Sequence, residues 1–160
     1  GWAARYARGG AQAAAATASA ACAPGAGGPL PPGVAGKVIG YARQQIGKPY
    51  QWGATGPDAF DCSGLVMMAY RAAGIAIPRT SQEQWAAGPY IRRGQQQPGD
   101  LVFFAGSDGT PQAPGHVGIV LNGTEMIEAY ATGFPIRVST YGTPSSPPGD
   151  QVVVGFTRPT

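Results

Sequence analysis

FDCSGLVMMAY, residues 60–70, is the stretch on which the fold turns. Asp61 is a residue type that caps helix starts and Gly74 one that ends them, so the spacing predicts a helix from about Cys62 to Ala73. Leu65, Val66, Met68 and Ala69 then form its buried side, with Asp61, Cys62 and Ser63 at its mouth. Cysteine usually behaves as a small core hydrophobe. Cys62, however, precedes the apolar run instead of joining it, which leaves three readings: core filling, half of a disulfide, or a nucleophile.

Working outward, Val34, Val38, Ile39, Ala42 and Ile46 recur on one face of a second helix, stopped by Gly47 and Pro49. The loop KPYQWGATGPDAF joins the two. Downstream, RTSQEQWAAG reads as a short helix with a capping box between Thr80 and Glu83 and a stop at Gly88. After QQQPGD the periodicity changes, and LVFFA, HVGIVL, MIEAYA, IRVSTY and QVVVGFT read as strands separated by Gly, Asn, Pro or Asp. Helices first and a meander of strands after predict an α+β domain, its N-terminal helices packed on an antiparallel sheet of about five to six strands.

That domain is expected to occupy residues 34–160. Residues 1–33 are rich in Ala, Gly and Pro and read as an extension or linker; the run AQAAAATASAACA has helix propensity but few large side chains to bury. Cys22 lacks the preceding apolar segment of a lipid-acylated cysteine. The chain starts at Gly1 with no basic-then-apolar leader, as a matured, trimmed or excised piece of a longer protein would.

Composition narrows the function. With 43% hydrophobic residues and a net charge of +3 the 160-residue chain has apolar surface enough for a core. The 26 Gly and 16 Pro, with 12% charged residues, favour turns and short strands. Arg92-Arg93 is the longest basic run, so no stripe suits a phosphate backbone and no nucleic-acid partner is expected. No run approaches the ~18 apolar residues of a membrane span. Two cysteines and one histidine make no credible zinc cluster, and no metal or organic cofactor is expected.

The chemistry centres on Cys62. In the first turn of a helix, unpaired N–H groups and the positive end of the macrodipole favour an anion, hence a thiolate. A thiolate nucleophile needs a base, and His116 is the one histidine available, opening a strand after a Pro-Gly turn. The imidazole needs a partner on its other nitrogen, for which Glu128 is the candidate. A two-residue turn after Leu121 would put His116 and Glu128 on opposite faces. A three-residue loop, Asn122 to Thr124, pairs Leu121 with Glu125 and Gly118 with Glu128, one diagonal step from His116. The triad thus predicts an odd-length loop despite the Asn-Gly that favours a two-residue turn.

YQWG at 50–53, FDCSGL at 60–65, PRTS at 78–81, PGDLVFF at 98–104, HVGIVL at 116–121 and the Glu twelve residues after the His resemble the NlpC family of bacterial cell-wall cysteine peptidases. The likeness runs in order from about Val34 to Phe156. It implies a papain-like fold and hydrolysis of the bond between D-glutamate and a diamino acid, typically diaminopimelate, in peptidoglycan stem peptides. It makes Cys62 the nucleophile, His116 the base and Glu128 the third polar residue. Tyr50 matches a tyrosine near the nucleophile that, with the Cys62 N–H, stabilises an oxyanion. Asp61 and Ser63 match positions that in some relatives bind the stem peptide, though capping alone accounts for Asp61. Trp52, Arg79, Ser81 and Asp100 match as scaffold, Asp100 as a turn residue. One departure is Ala54, where a second glycine is common.

The resemblance further implies a monomer, secreted or wall-associated. Rival readings are a wall-binding module that has lost catalysis, and an acyltransferase or amidase on the same scaffold. A disulfide between Cys22 and Cys62 would silence the thiol.

Overall fold

The computed structural model describes Leu30, residues 32–141 and residues 152–159. Helix α1, Val34–Gln44, buries Val34, Val38 and Ala42 at helical spacing. Ile46, expected on that face, lies past the helix end and is exposed, because the chain has already turned towards Gly47 at φ 96°. Helix α2, Cys62–Ala72, starts where the Asp61 carboxylate accepts from the Gly64 N–H at 2.6 Å and ends before Gly74 at φ 82°. Helix α3, Ser81–Ala87, carries the capping box: Thr80 Oγ1 accepts from the Glu83 N–H and Glu83 reaches back to the Thr80 N–H.

Each of the five segments read as strands overlaps one: β2 Leu101–Phe104, β3 His116–Val120, β4 Glu125–Glu128, which starts one residue before the segment MIEAYA, β5 Arg137–Thr140 and β6 Val153–Thr157. Before them comes β1, Tyr90–Ile91, whose two residues are too few for any alternation to show in sequence. All pairings are antiparallel, in the order β1-β6-β2-β3-β4-β5. The expected meander therefore covers β2 to β5 only. The chain then returns to the far side of β2, where β6 is inserted between β1 and β2.

Alternation along the strands divides the core in two. Leu101, Phe103, Val117, Ile119 and Ile127 turn to the helices and join Val38, Phe60, Leu65, Val66 and Tyr70. Their neighbours Val102, Phe104, Val120, Met126 and Phe156 form a second cluster with Ile91 and Tyr141 on the other face. Burying a side chain of this size contributes about 1.5–3 kcal/mol, so the main cluster holds α2 firmly against β3. Leu30, within the stretch read as an extension, also packs against the main cluster. Asp100 does more than open a strand: besides accepting from the Gln97 N–H it forms a buried ion pair with Arg158, just beyond β6. Beside it the Tyr70 hydroxyl donates to the Gly99 carbonyl.

Candidate active site

Cys62 is the first residue of α2, half-buried, with a free thiol that donates to the Gly115 carbonyl at 3.8 Å. A set of hydrogen bonds around Asp61 and Ser63 fixes this helix mouth. Asp61 takes the Gly64 and Gly53 N–H groups on its two oxygens, at 2.6 and 2.9 Å, and its own N–H donates to the Ala54 carbonyl at 2.9 Å. Arg79 grips the same carboxylate with both terminal nitrogens, at 3.1 and 2.8 Å, and donates to Ser63 Oγ at 2.9 Å. Gly64 permits the approach: a Cβ there would lie 2.3 Å from the Ala54 carbonyl oxygen. Cys22, and with it the Cys22–Cys62 pairing, falls outside the described residues.

His116 opens β3 directly after Gly115, so the carbonyl that receives the thiol and the ring beside it belong to consecutive residues. Ser81, at the start of α3, donates to the Pro114 carbonyl at 2.8 Å and holds this segment in place. The register Ile119↔Ile127 and Val120↔Met126, with the Leu121 N–H donating to the Glu125 carbonyl, leaves a three-residue loop, Asn122 to Thr124. Asn122 braces that loop by accepting from the Thr124 and Glu125 N–H groups, which makes the odd length stable where Asn-Gly alone suggested two. Glu128 consequently shares a face with His116, and His116 Nε2 donates to Glu128 Oε1 at 2.7 Å. The other ring nitrogen is left for the thiol.

Burial favours a neutral ring, but the hydrogen bonds to Cys62 and Glu128, and the negative charge of both, outweigh it and raise His116 to about 9. For Glu128 burial opposes the charge, yet His116, Ser139 and Arg137 prevail and hold it down to about 2. The ring is thus favoured as an imidazolium against the Glu128 carboxylate, with Cys62 at its other side. Phe104 and Tyr130 wall the ring, with centroids 5.4 and 5.7 Å away.

Sequence reasoning missed the second half of the carboxylate's support. Glu128 Oε2 accepts from Arg137 Nε and Nη2, at 3.1 and 3.0 Å, and from Ser139 Oγ at 2.6 Å. The guanidinium lies over the rings of Tyr130 and Phe134, 5.0 and 4.9 Å from their centroids. The signal was present in strand alternation: Arg137 stands opposite Glu128 in the register of β4 and β5.

A cavity of about 490 Å³ opens over Cys62. Tyr50, Asp61 and Ser63 line it with Cys62, whereas His116 and Glu128 stand behind the thiol. Burial first, then the charges of Cys62, Asp61 and Asp108, push the Tyr50 phenol up to about 12, so it stays a proton donor. Asp61 has its oxygens committed to Arg79 and backbone N–H groups, which makes it a brace of the helix mouth. Trp52 stands at the rim, 80% exposed. Asp108, also on the wall, went unnoticed in sequence because a lone acidic residue in an S-D-G turn reads as a solvated loop.

The chain matches the family model described as the NlpC/P60 family over residues 47–149. It is 43% identical over 96 residues to the probable endopeptidase p60 of Listeria monocytogenes, an alignment covering 60% of this chain and 19% of that protein. A probable endopeptidase of Corynebacterium glutamicum is 44% identical over 100 residues, covering 62% of this chain and 44% of the relative. The chain thus spans less than half the length of either relative. Among solved structures, the peptidoglycan hydrolase RipB of Mycobacterium tuberculosis superposes with a TM-score of 0.63 at 31% identity, covering 82% of this chain and 72% of that one. The three helices and six-stranded sheet are those of the papain-like α+β fold.

Proposed function

Because the chain belongs to the NlpC/P60 family, we propose that this domain is a cysteine endopeptidase of peptidoglycan, cleaving the bond from D-glutamate to a diamino acid in stem peptides outside the bacterial cell. The observation that carries the reading is the run of contacts from the Cys62 thiol at the mouth of α2 to the His116 imidazole and on to Glu128 Oε1.

The Cys62 thiolate attacks the scissile carbonyl carbon and the carbonyl π electrons pass to oxygen. The oxyanion is met by the Tyr50 hydroxyl and the Cys62 N–H, a first-turn donor with no intrahelical acceptor. Collapse expels the diamino acid's nitrogen, which takes its proton from His116, leaving a D-glutamyl thioester on Cys62. Water, deprotonated by the now neutral His116, attacks the thioester and restores the thiolate–imidazolium pair. Glu128 keeps the ring oriented throughout and does not itself change protonation. Ser63 and the braced Asp61 shape the floor on which the stem peptide rests.

The test is incubation of the domain with purified stem peptides and identification of products by mass. Fragments ending in a free D-glutamyl carboxylate and beginning with a free diamino acid amine are expected. Intact peptides beside a cleaved lipid ester or unrelated amide would sink the endopeptidase reading.

A further inference from the structure

The charged side chains lining the cavity are Asp61, Arg79 and Asp108. Asp61 and Arg79 neutralise each other at 2.8 Å, and the remaining valences of the carboxylate go to the Gly53 and Gly64 N–H groups. Asp108 is different: among the described residues no hydrogen bond or ion pair engages its carboxylate.

Its place is nonetheless fixed. Asp108 sits in the loop between β2 and β3 with Oδ1 against Gly115, 2.6 Å from where a Cβ on that glycine would lie. Gly115 is the residue whose carbonyl receives the Cys62 thiol. The Gly115 N–H donates to the Ala105 carbonyl at 2.7 Å, and Thr110 and Ala113 close the loop with reciprocal backbone bonds of 3.0 and 3.1 Å. Gly109 is pressed so closely on Gly115 that a Cβ there would fall 2.2 Å from the Gly115 nitrogen. The carboxylate is also near enough to Tyr50 to act on its phenol. Asp108 is exposed, so its carboxylate is open to a cation that enters the cavity beside Cys62.

We propose that Asp108 binds a primary ammonium group of the substrate close to the scissile bond, and so selects stem peptides by a free amine. The proposal rests on the hydrolase reading for the identity of the peptide. A stem peptide offers such a group from two sources, the distal amine of the diamino acid and the peptide's amino end. In the first case stems whose distal amine is acylated in a crosslink are poor substrates, and the enzyme works on uncrosslinked ones.

Three forms of L-alanyl-γ-D-glutamyl-diaminopimelate separate the sources: unmodified, acetylated at the amino end, and acetylated at the distal amine. Calorimetric binding to the Cys62→Ala protein, with and without Asp108→Asn, reads recognition apart from turnover. Asp108→Asn is expected to weaken the unmodified peptide and one acetylated form by about tenfold, the scale of one charge-assisted hydrogen bond. The other acetylated form, already lacking the recognised amine, is expected to bind both proteins equally weakly and thereby identifies the source. Equal weakening of all three peptides, or of none, would overturn the proposal. Asp108-dependent binding without cleavage by the parental domain would instead contradict the hydrolase reading and leave the ammonium site standing.

Discussion

At the scale of single residues, the chain has one histidine, so its ring can be followed by NMR without assignment. His116 is expected to titrate near pH 9, and Cys62→Ala, which removes one of the two partners that raise it, should bring it down; a ring titrating near 6.5 in the parental protein contradicts that pairing. Folding linkage has a definite sign here. His116 is raised, so its contribution to stability is whole below about 6.5 and fades as pH rises through about 9. Glu128 is depressed from 4.5 to about 2, so its contribution is whole above 4.5 and fades as pH falls through about 2. Thermal midpoints should therefore be highest between about pH 4.5 and 6.5, and in Cys62→Ala the alkaline decline should be smaller and end at a lower pH. Arg137 acts through Glu128 and is a positioning residue. Arg137→Ala should cut kcat/KM by about tenfold and move the His116 titration, with Arg137→Lys recovering part of both. An unmoved titration would reduce Arg137 to a surface contact.

At the scale of elements, Gly64 is where one methyl group would matter most. Gly64→Ala forces a Cβ to within 2.3 Å of the Ala54 carbonyl oxygen and 2.8 Å of Asp61 Oδ1, so the helix mouth must shift. A loss of about 1–3 kcal/mol in urea unfolding is expected, with a fall in activity larger than any change in KM. An unchanged unfolding midpoint would contradict the tight packing of that mouth. These elements also show what the sequence made legible. The mouth of α2 could be read because Asp61 and Gly74 are local signals, and the odd loop between β3 and β4 because two side chains had to share a face. The insertion of β6 beside β2 could not, since it depends on a long-range pairing that leaves no periodicity. Arg137 was hidden for the same reason: its meaning lies across the strand pair, in Glu128. Asp108 gained significance only once the fold set it against Gly115.

At the scale of the whole molecule, the buried pair of Asp100 and Arg158 ties β6, the last strand in the chain, to the turn before β2. Arg158→Ala strands a buried carboxylate and should cost about 3–5 kcal/mol of stability, far more than removal of an exposed partner. A loss below about 1 kcal/mol, the scale of a surface pair, would contradict the burial of this tie. Helices on one face, strands from both chain directions, and this tie together deliver one thiol to one imidazole at the rim of one cavity. The rate at which iodoacetamide alkylates Cys62 at about pH 5.5 tests that delivery most directly, because a model thiol with pKa near 8.5 is almost wholly protonated there. Cys62 is expected to react at least ten times faster than a free cysteine peptide, and His116→Ala is expected to abolish the advantage. Alkylation no faster than the model thiol, or equally fast without His116, would contradict the account.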